Sequence, residues 1–127
     1  MYLFAGEQGV WKQKAKLVSN DGMDGDPFGS FGTIAVSGET VLVGPDSHAT
    51  AATGLLAGAA YVFRPKGGGW SQIVELTASD GVSSGFFGGN VAIQNNLLLI
   101  GASGQHPQVD NGQGYPGGEA YVYRLDQ

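Results

Sequence analysis

The sequence predicts an all-β protein built from β-propeller-type blades, and three observations carry that expectation. The first is internal repetition: YLFAGEQGVWKQKAKLVSNDG, opening at Tyr2, recurs from Tyr61 as YVFRPKGGGWSQIVELTASDG, and a third copy begins at Tyr121 as YVYR. A period of about sixty residues lies near the spacing of propeller-type arrays, in which the repeat is the unit of folding. The second is composition. Of 127 residues 23 are Gly, and the apolar residues come in short runs, the pattern of many short strands joined by turns. The third is that length differences between the copies fall in Gly-rich or polar stretches, which marks those as loops. No apolar set recurs at helical spacing over three turns, so no helix is expected.

The elements follow in order. Residues 1–30 hold the third and fourth strands of a first blade with the loop that leaves it, 31–77 a complete blade, and 78–127 the first three strands of a further blade, all one propeller-type unit. In the complete blade the strands are expected at about 32–37, 40–44, 58–64 and 70–77. IAVSGETVLVG at 34–44 answers VAIQNNLLLIG at 91–101, apolar residue for apolar residue, and GAAYVF at 58–63 answers GEAYVY at 118–123. Trp11 and Trp70, Leu17 and Leu76, Asp21 and Asp80 stand at the same offsets from their tyrosines. The two tryptophans, in register with apolar neighbours, are expected to pack between blades or along the outer edge. Lys12, Lys14 and Lys16 alternate, which puts all three on one strand face with Trp11, Gln13, Ala15 and Leu17 on the other. Lysines in that pattern protect an exposed strand.

Connections are of two kinds. Ser37 to Glu39 and Pro65 to Gly69 make tight Gly-bearing hairpins, whereas 18–30, 45–57, 77–89 and 102–117 are long. Successive connections of an up-and-down sheet alternate between its ends, so every long loop leaves from one end, where binding residues concentrate. Blades bury their faces against one another in rings of about four to eight, so these repeats form an incomplete ring within one chain. Two arrangements stay open. Further blades come from flanking sequence in a longer array, or from other copies of the chain in a homo-oligomeric ring, where residues 120–124 and the next copy's 2–4 would claim one strand position.

Six Lys and Arg against eleven Asp and Glu, a net charge of −5, exclude nucleic acid as a partner, since phosphate binding needs clustered cations. No cysteine is present, which removes disulfides, thiol catalysis and thiolate metal sites. No apolar run reaches the length of a membrane span, and the N-terminus lacks a basic segment followed by an apolar one. Membrane insertion is therefore not expected, and an export signal would lie outside this sequence.

The succession ASDG, FGG, VAIQNNLLLIGA and GEAYVYR over 78–124, with FGTIAVSGETVLVGP and GAAYVF over 31–63, resembles the FG-GAP repeat of integrin-α-type seven-bladed propellers. The GAP element is degenerate, reading GPD at 44–46 and GAS at 101–103. Two pairs, Phe28-Gly29 and Phe31-Gly32, compete for the Phe-Gly position, with about two extra residues before Ile34; a bulge near 28–32 is expected. Kelch propellers rank behind, because their Tyr-to-Trp interval is shorter than that from Tyr61 to Trp70. The resemblance implies an extracellular or cell-surface location and noncatalytic adhesion or recognition. It also implies a calcium loop between the first two strands of a blade, where carboxylates supply hard oxygen ligands. Here those connections are SGET at 37–40 and QNN at 94–96, with Glu39 the lone carboxylate, so the inherited loop is missing from both copies.

Candidate site residues sit in the long loops. Asp21, Asp24 and Asp26 could turn three carboxylates toward one cation, but the second copy keeps only Asp80 there, and Asp beside Gly is what turns demand. Neither a metal nor a cofactor is favoured. Asp21 and Asp80 suit capping of backbone amides in that turn. His48 and His106 fall at nearly equivalent places, accompanied by Asp46 and Asp110, and Tyr115 is an unrepeated aromatic between glycines that suits ligand contact. No nucleophile has a positioned base and no phosphate loop occurs, so an enzyme is not expected. The sequence favours a module that binds a protein through the long-loop end; a lectin-like carbohydrate-binding ring of several chains and a structural spacer or filament subunit are the alternatives.

Overall fold

The structure, a computed structural model, describes residues 1–22, 28, 33–45, 57–81, 84–104 and 117–126. All regular structure among them is β: β1 Tyr2–Glu7, β2 Val10–Lys16, β3 Ile34–Ser37, β4 Thr40–Val43, β5 Ala60–Lys66, β6 Gly69–Leu76, β7 Phe87–Gln94, β8 Leu97–Ala102 and β9 Glu119–Arg124. They form three antiparallel up-and-down sheets, ordered β1-β2, β3-β4-β5-β6 and β7-β8-β9. The strands of the middle sheet lie within two residues of the spans expected from sequence. The bulge expected near 28–32 falls outside the described residues apart from Phe28.

The tight turns are set by residues that tolerate left-handed backbone. Gln8 and Gly9, and one repeat later Gly67 and Gly68, have φ of 51°, 80°, 61° and 82°, the type I′ arrangement that matches strand twist. Gly38 and its counterpart Asn95 hold φ of 55° and 56°, and Asn accepts that conformation better than other side-chain-bearing residues.

Both of the hairpins β1-β2 and β5-β6 carry a register shift at the same point of the repeat, between Leu3 and Phe4 and between Val62 and Phe63. The shift corrects the expected faces of β2. Tyr2 pairs with Lys16 and Ala5 with Lys12, while Leu3 pairs with Ala15 and Phe4 with Gln13, leaving Lys14 as the extra residue. Lys12 and Lys16 are thus on opposite faces, and Trp11 and Gln13 share the face of Tyr2 and Phe4, away from Ala15. An inserted residue inverts the period-two count beyond it. Glu7 collects the displaced lysines: Lys14 donates to it and Lys12 lies 3.6 Å away. The hydrogen bond from Lys14, then its charge, lowers the Glu7 pKa.

The sheets stack in chain order through two cores. Leu17, Val41, Val43, Ala59, Tyr61 and Phe63, joined by Leu3, Ala15, Phe28 and Trp70, fill the space between the first and middle sheets. Leu42, Ala60, Val62, Phe87, Leu98 and Ile100, joined by Ala35, Val74, Tyr121 and Tyr123, fill that between the middle and last. Phe28 meets the rings of Tyr61 and Phe63 edge-on at 5.7 and 5.8 Å. Phe87 meets Tyr121 and Tyr123 likewise at 5.2 and 6.2 Å. Phe28 therefore makes the ring contacts that Phe87 makes one blade later, while the competing pair Phe31-Gly32 lies outside the described residues.

At one end the middle and last sheets touch backbone to backbone. Gly58 bridges to Phe87, whose amide donates to Ala57 O at 2.9 Å. Gly58 has φ +85°, and a Cβ there would overlap the Phe87 carbonyl; one on Gly44 would overlap the backbone of Gly88. Only glycine permits both the conformation and the approach.

Candidate functional site

The connections β2 to β3, β4 to β5, β6 to β7 and β8 to β9 are the long ones, and strand alternation places their roots at the end where Gly58 meets Phe87. Two matched turns frame it. Gly22 N donates to Ser19 O at 3.5 Å and Gly81 N to Ala78 O at 3.2 Å, closing four-residue turns with Asp third and Gly fourth, where both are favoured.

From those turns each aspartate reaches the next sheet. Tyr61 Oη donates to Asp21 Oδ2 at 3.1 Å, and Tyr121 Oη lies 2.7 Å from Asp80 Oδ1. Tyr121 Oη is also 2.7 Å from Glu119 Oε2; with one hydroxyl hydrogen it donates to one carboxylate at a time. Beside it Tyr123 Oη donates to Thr77 O at 3.1 Å. Burial foremost, then the bonds to Asp80 and Glu119, holds the Tyr121 phenol well above its ordinary pKa. Burial and the Asp80 charge raise that of Tyr123. A phenolate among carboxylates is disfavoured twice over, by lost solvation and by like charge. Sequence reasoning matched the aspartates to each other and the tyrosines to each other. It missed that each aspartate serves the tyrosine of the following copy, although the separations of 40 and 41 residues carry that signal.

Of the candidates named from sequence, Asp21 alone is described, and it is tied into this cross-sheet bond. His48, His106, Tyr115, Asp46, Asp110, Asp24 and Asp26 lie outside the described residues. Among the described residues no three His, Cys, Asp or Glu gather as a metal-binding group.

The opposite end carries a feature that sequence reasoning did not single out. A cleft of about 520 Å³ is lined by Glu39, Thr40, Arg64, Pro65, Asn95 and Asn96. Arg64 Nε donates to Thr40 Oγ1 at 2.8 Å, and the Asn95 amide to Ser37 Oγ at 2.9 Å. These bonds brace short turns. The recurrence of Arg after the third-strand aromatic, as Arg64 and Arg124, is its trace in the sequence.

No helix among the described residues is long and apolar enough to cross a membrane. No curated protein matches the chain. A family model described as the FG-GAP repeat matches it twice, over residues 11–63 and 70–123. Each match runs from a fourth strand through the next blade's third strand, so it contains the Asp21–Tyr61 or the Asp80–Tyr121 bond. With both copies matched and three successive antiparallel sheets as their fold, the chain belongs to the FG-GAP repeat family, whose repeats are β-propeller blades.

Proposed function

We propose that the chain is a non-enzymatic recognition module, extracellular or at the cell surface, that binds a protein partner through its long-connection end. One observation carries the reading: every long connection between described strands departs from the same end, while the other end carries tight turns. A scaffold locked by the Asp21–Tyr61 and Asp80–Tyr121 bonds holds the roots of those connections, and binding residues concentrate on loops so held. Membership of the FG-GAP repeat family supports adhesion or recognition over catalysis.

The test places a photo-crosslinking residue at Tyr115, and separately at Glu39 on the turn end, in the cells that make the protein. Discrete protein adducts from position 115, absent from position 39, are expected. Labelling equal at both positions, or none, overturns the reading. A glycan-array signal abolished by Tyr115→Ala would replace the protein partner with a carbohydrate.

A further inference from the structure

The repeat shows what covers each sheet face, because both blade-to-blade contacts among the described residues join the tyrosine face of one sheet to the opposite, aliphatic face of its neighbour. In the middle sheet the face bearing Tyr61, Phe63 and Trp70 packs on the first sheet, and the face bearing Ala35, Leu42 and Val62 packs on the last. The first sheet has its own copy of the former face, in Tyr2, Phe4 and Trp11; these are 56%, 51% and 74% exposed, whereas Tyr61 and Phe63 are buried. The last sheet has a copy of the latter, in Ala92, Leu99 and Val122. Leu99 and Val122 are 47% and 64% exposed where Leu42 and Val62 are fully buried. A shallow apolar depression of about 320 Å³ runs over Ala92, Leu97, Leu99 and Val122.

We propose that these two outer faces are the two halves of one further blade-to-blade interface, and that the occupant of each is a second copy of this chain. The aromatic face of one copy, Tyr2, Phe4 and Trp11, seats on the aliphatic face of the next, Ala92, Leu99 and Val122. It continues the pairing made twice inside the chain, with aromatics on one side and small or branched aliphatics on the other. Such an interface is heterologous: two different patches meet, so each copy keeps one patch free for another until the assembly closes. Large exposed apolar side chains gathered on one face mark interaction surfaces, and here both faces show the composition that their buried counterparts use against a blade.

The experiment uses the full chain and measures mass in solution across a concentration range by light scattering and sedimentation. Concentration-dependent assembly beyond the monomer is expected. Phe4→Asp disables one face and Val122→Asp the other; each variant alone is expected to be monomeric, and a mixture of the two to form 1:1 pairs, since each supplies the face the other lacks. Both positions are exposed, and far-UV circular dichroism confirms that the variants keep their strands. Should either aspartate variant unfold, Trp11→Ser and Leu99→Ser replace them in the same mixing design. A wild-type chain that stays monomeric overturns the proposal, as would assembly that survives both variants or a mixture that fails to pair. Labelling at position 115 does not depend on these faces, so the recognition reading and this one fail separately.

Discussion

Tyr61 donates its hydroxyl hydrogen to Asp21 at 3.1 Å, joining β5 of the middle sheet to the turn that leaves the first. The ring is fully buried while the bond lies at the rim, so one side chain serves both the core and the junction between blades. Tyr121 and Asp80 repeat the arrangement one blade later.

Tyr61→Phe keeps the ring and deletes the bond. A hydrogen bond to a charged group contributes about 1.5–3 kcal/mol, and a loss of about that size is expected in urea-induced unfolding. Tyr121→Phe costs less, because its bond to Asp80 is exposed whereas that of Tyr61 to Asp21 is partly buried. Equal stability of Tyr61→Phe and wild type would show the bond to be without consequence.

Alkaline pH tests the phenols. Tyr121 and Tyr123 have pKa values raised above the ordinary value of about 10, so the folded state keeps protons that the unfolded chain releases. Their contribution is complete below that ordinary value and is lost as pH rises through the folded values. The melting temperature should fall above about pH 10, with tyrosinate absorbance from these two rings appearing together with unfolding. Tyr121→Phe should flatten that fall.

Gly58→Ala places a side chain at φ +85° and against the Phe87 carbonyl. The left-handed conformation alone costs about 1–2 kcal/mol, and the overlap adds to it. Denaturant titration should show a larger loss than for Gly9→Ala, where φ is +80° and nothing stands within 4 Å of the added methyl.

Phe87 is fully buried and Phe28 partly so, yet both make the same pair of edge-on ring contacts. Truncating a buried Phe costs about 3–5 kcal/mol. Phe87→Ala should fall in that range and Phe28→Ala below it. A Phe28→Ala variant as stable as wild type would remove Phe28 as the counterpart of Phe87.

Strand positions were legible because the copies share apolar alternation and glycine-marked turns, as IAVSGETVLVG against VAIQNNLLLIG shows. The faces of β2 were not, since a bulge opposite Leu3 and Phe4 changes no residue type and leaves nothing in the lysine alternation to betray it. That Phe28 packs against Tyr61 and Phe63 was hidden for a related reason: two Phe-Gly pairs satisfy the motif, and residue type does not say which ring enters the core. Asp21 and Asp80 were recognisable as turn residues, but their tyrosine partners lie one blade further on, beyond any local pattern. The equivalence of the exposed Val122 with the buried Val62 could be aligned from sequence; only the stacking of sheets shows that one is covered and the other bare.

The contact of Gly58 and Gly88 with the neighbouring main chain has a mechanical meaning for the array. The spacing of the two sheets at that end does not depend on any side-chain volume, so it acts as a pivot that substitution elsewhere leaves in place. The connections rooted beside it can change length and chemistry while the pitch from one blade to the next is held constant, which frees those connections to diversify without redesign of the scaffold.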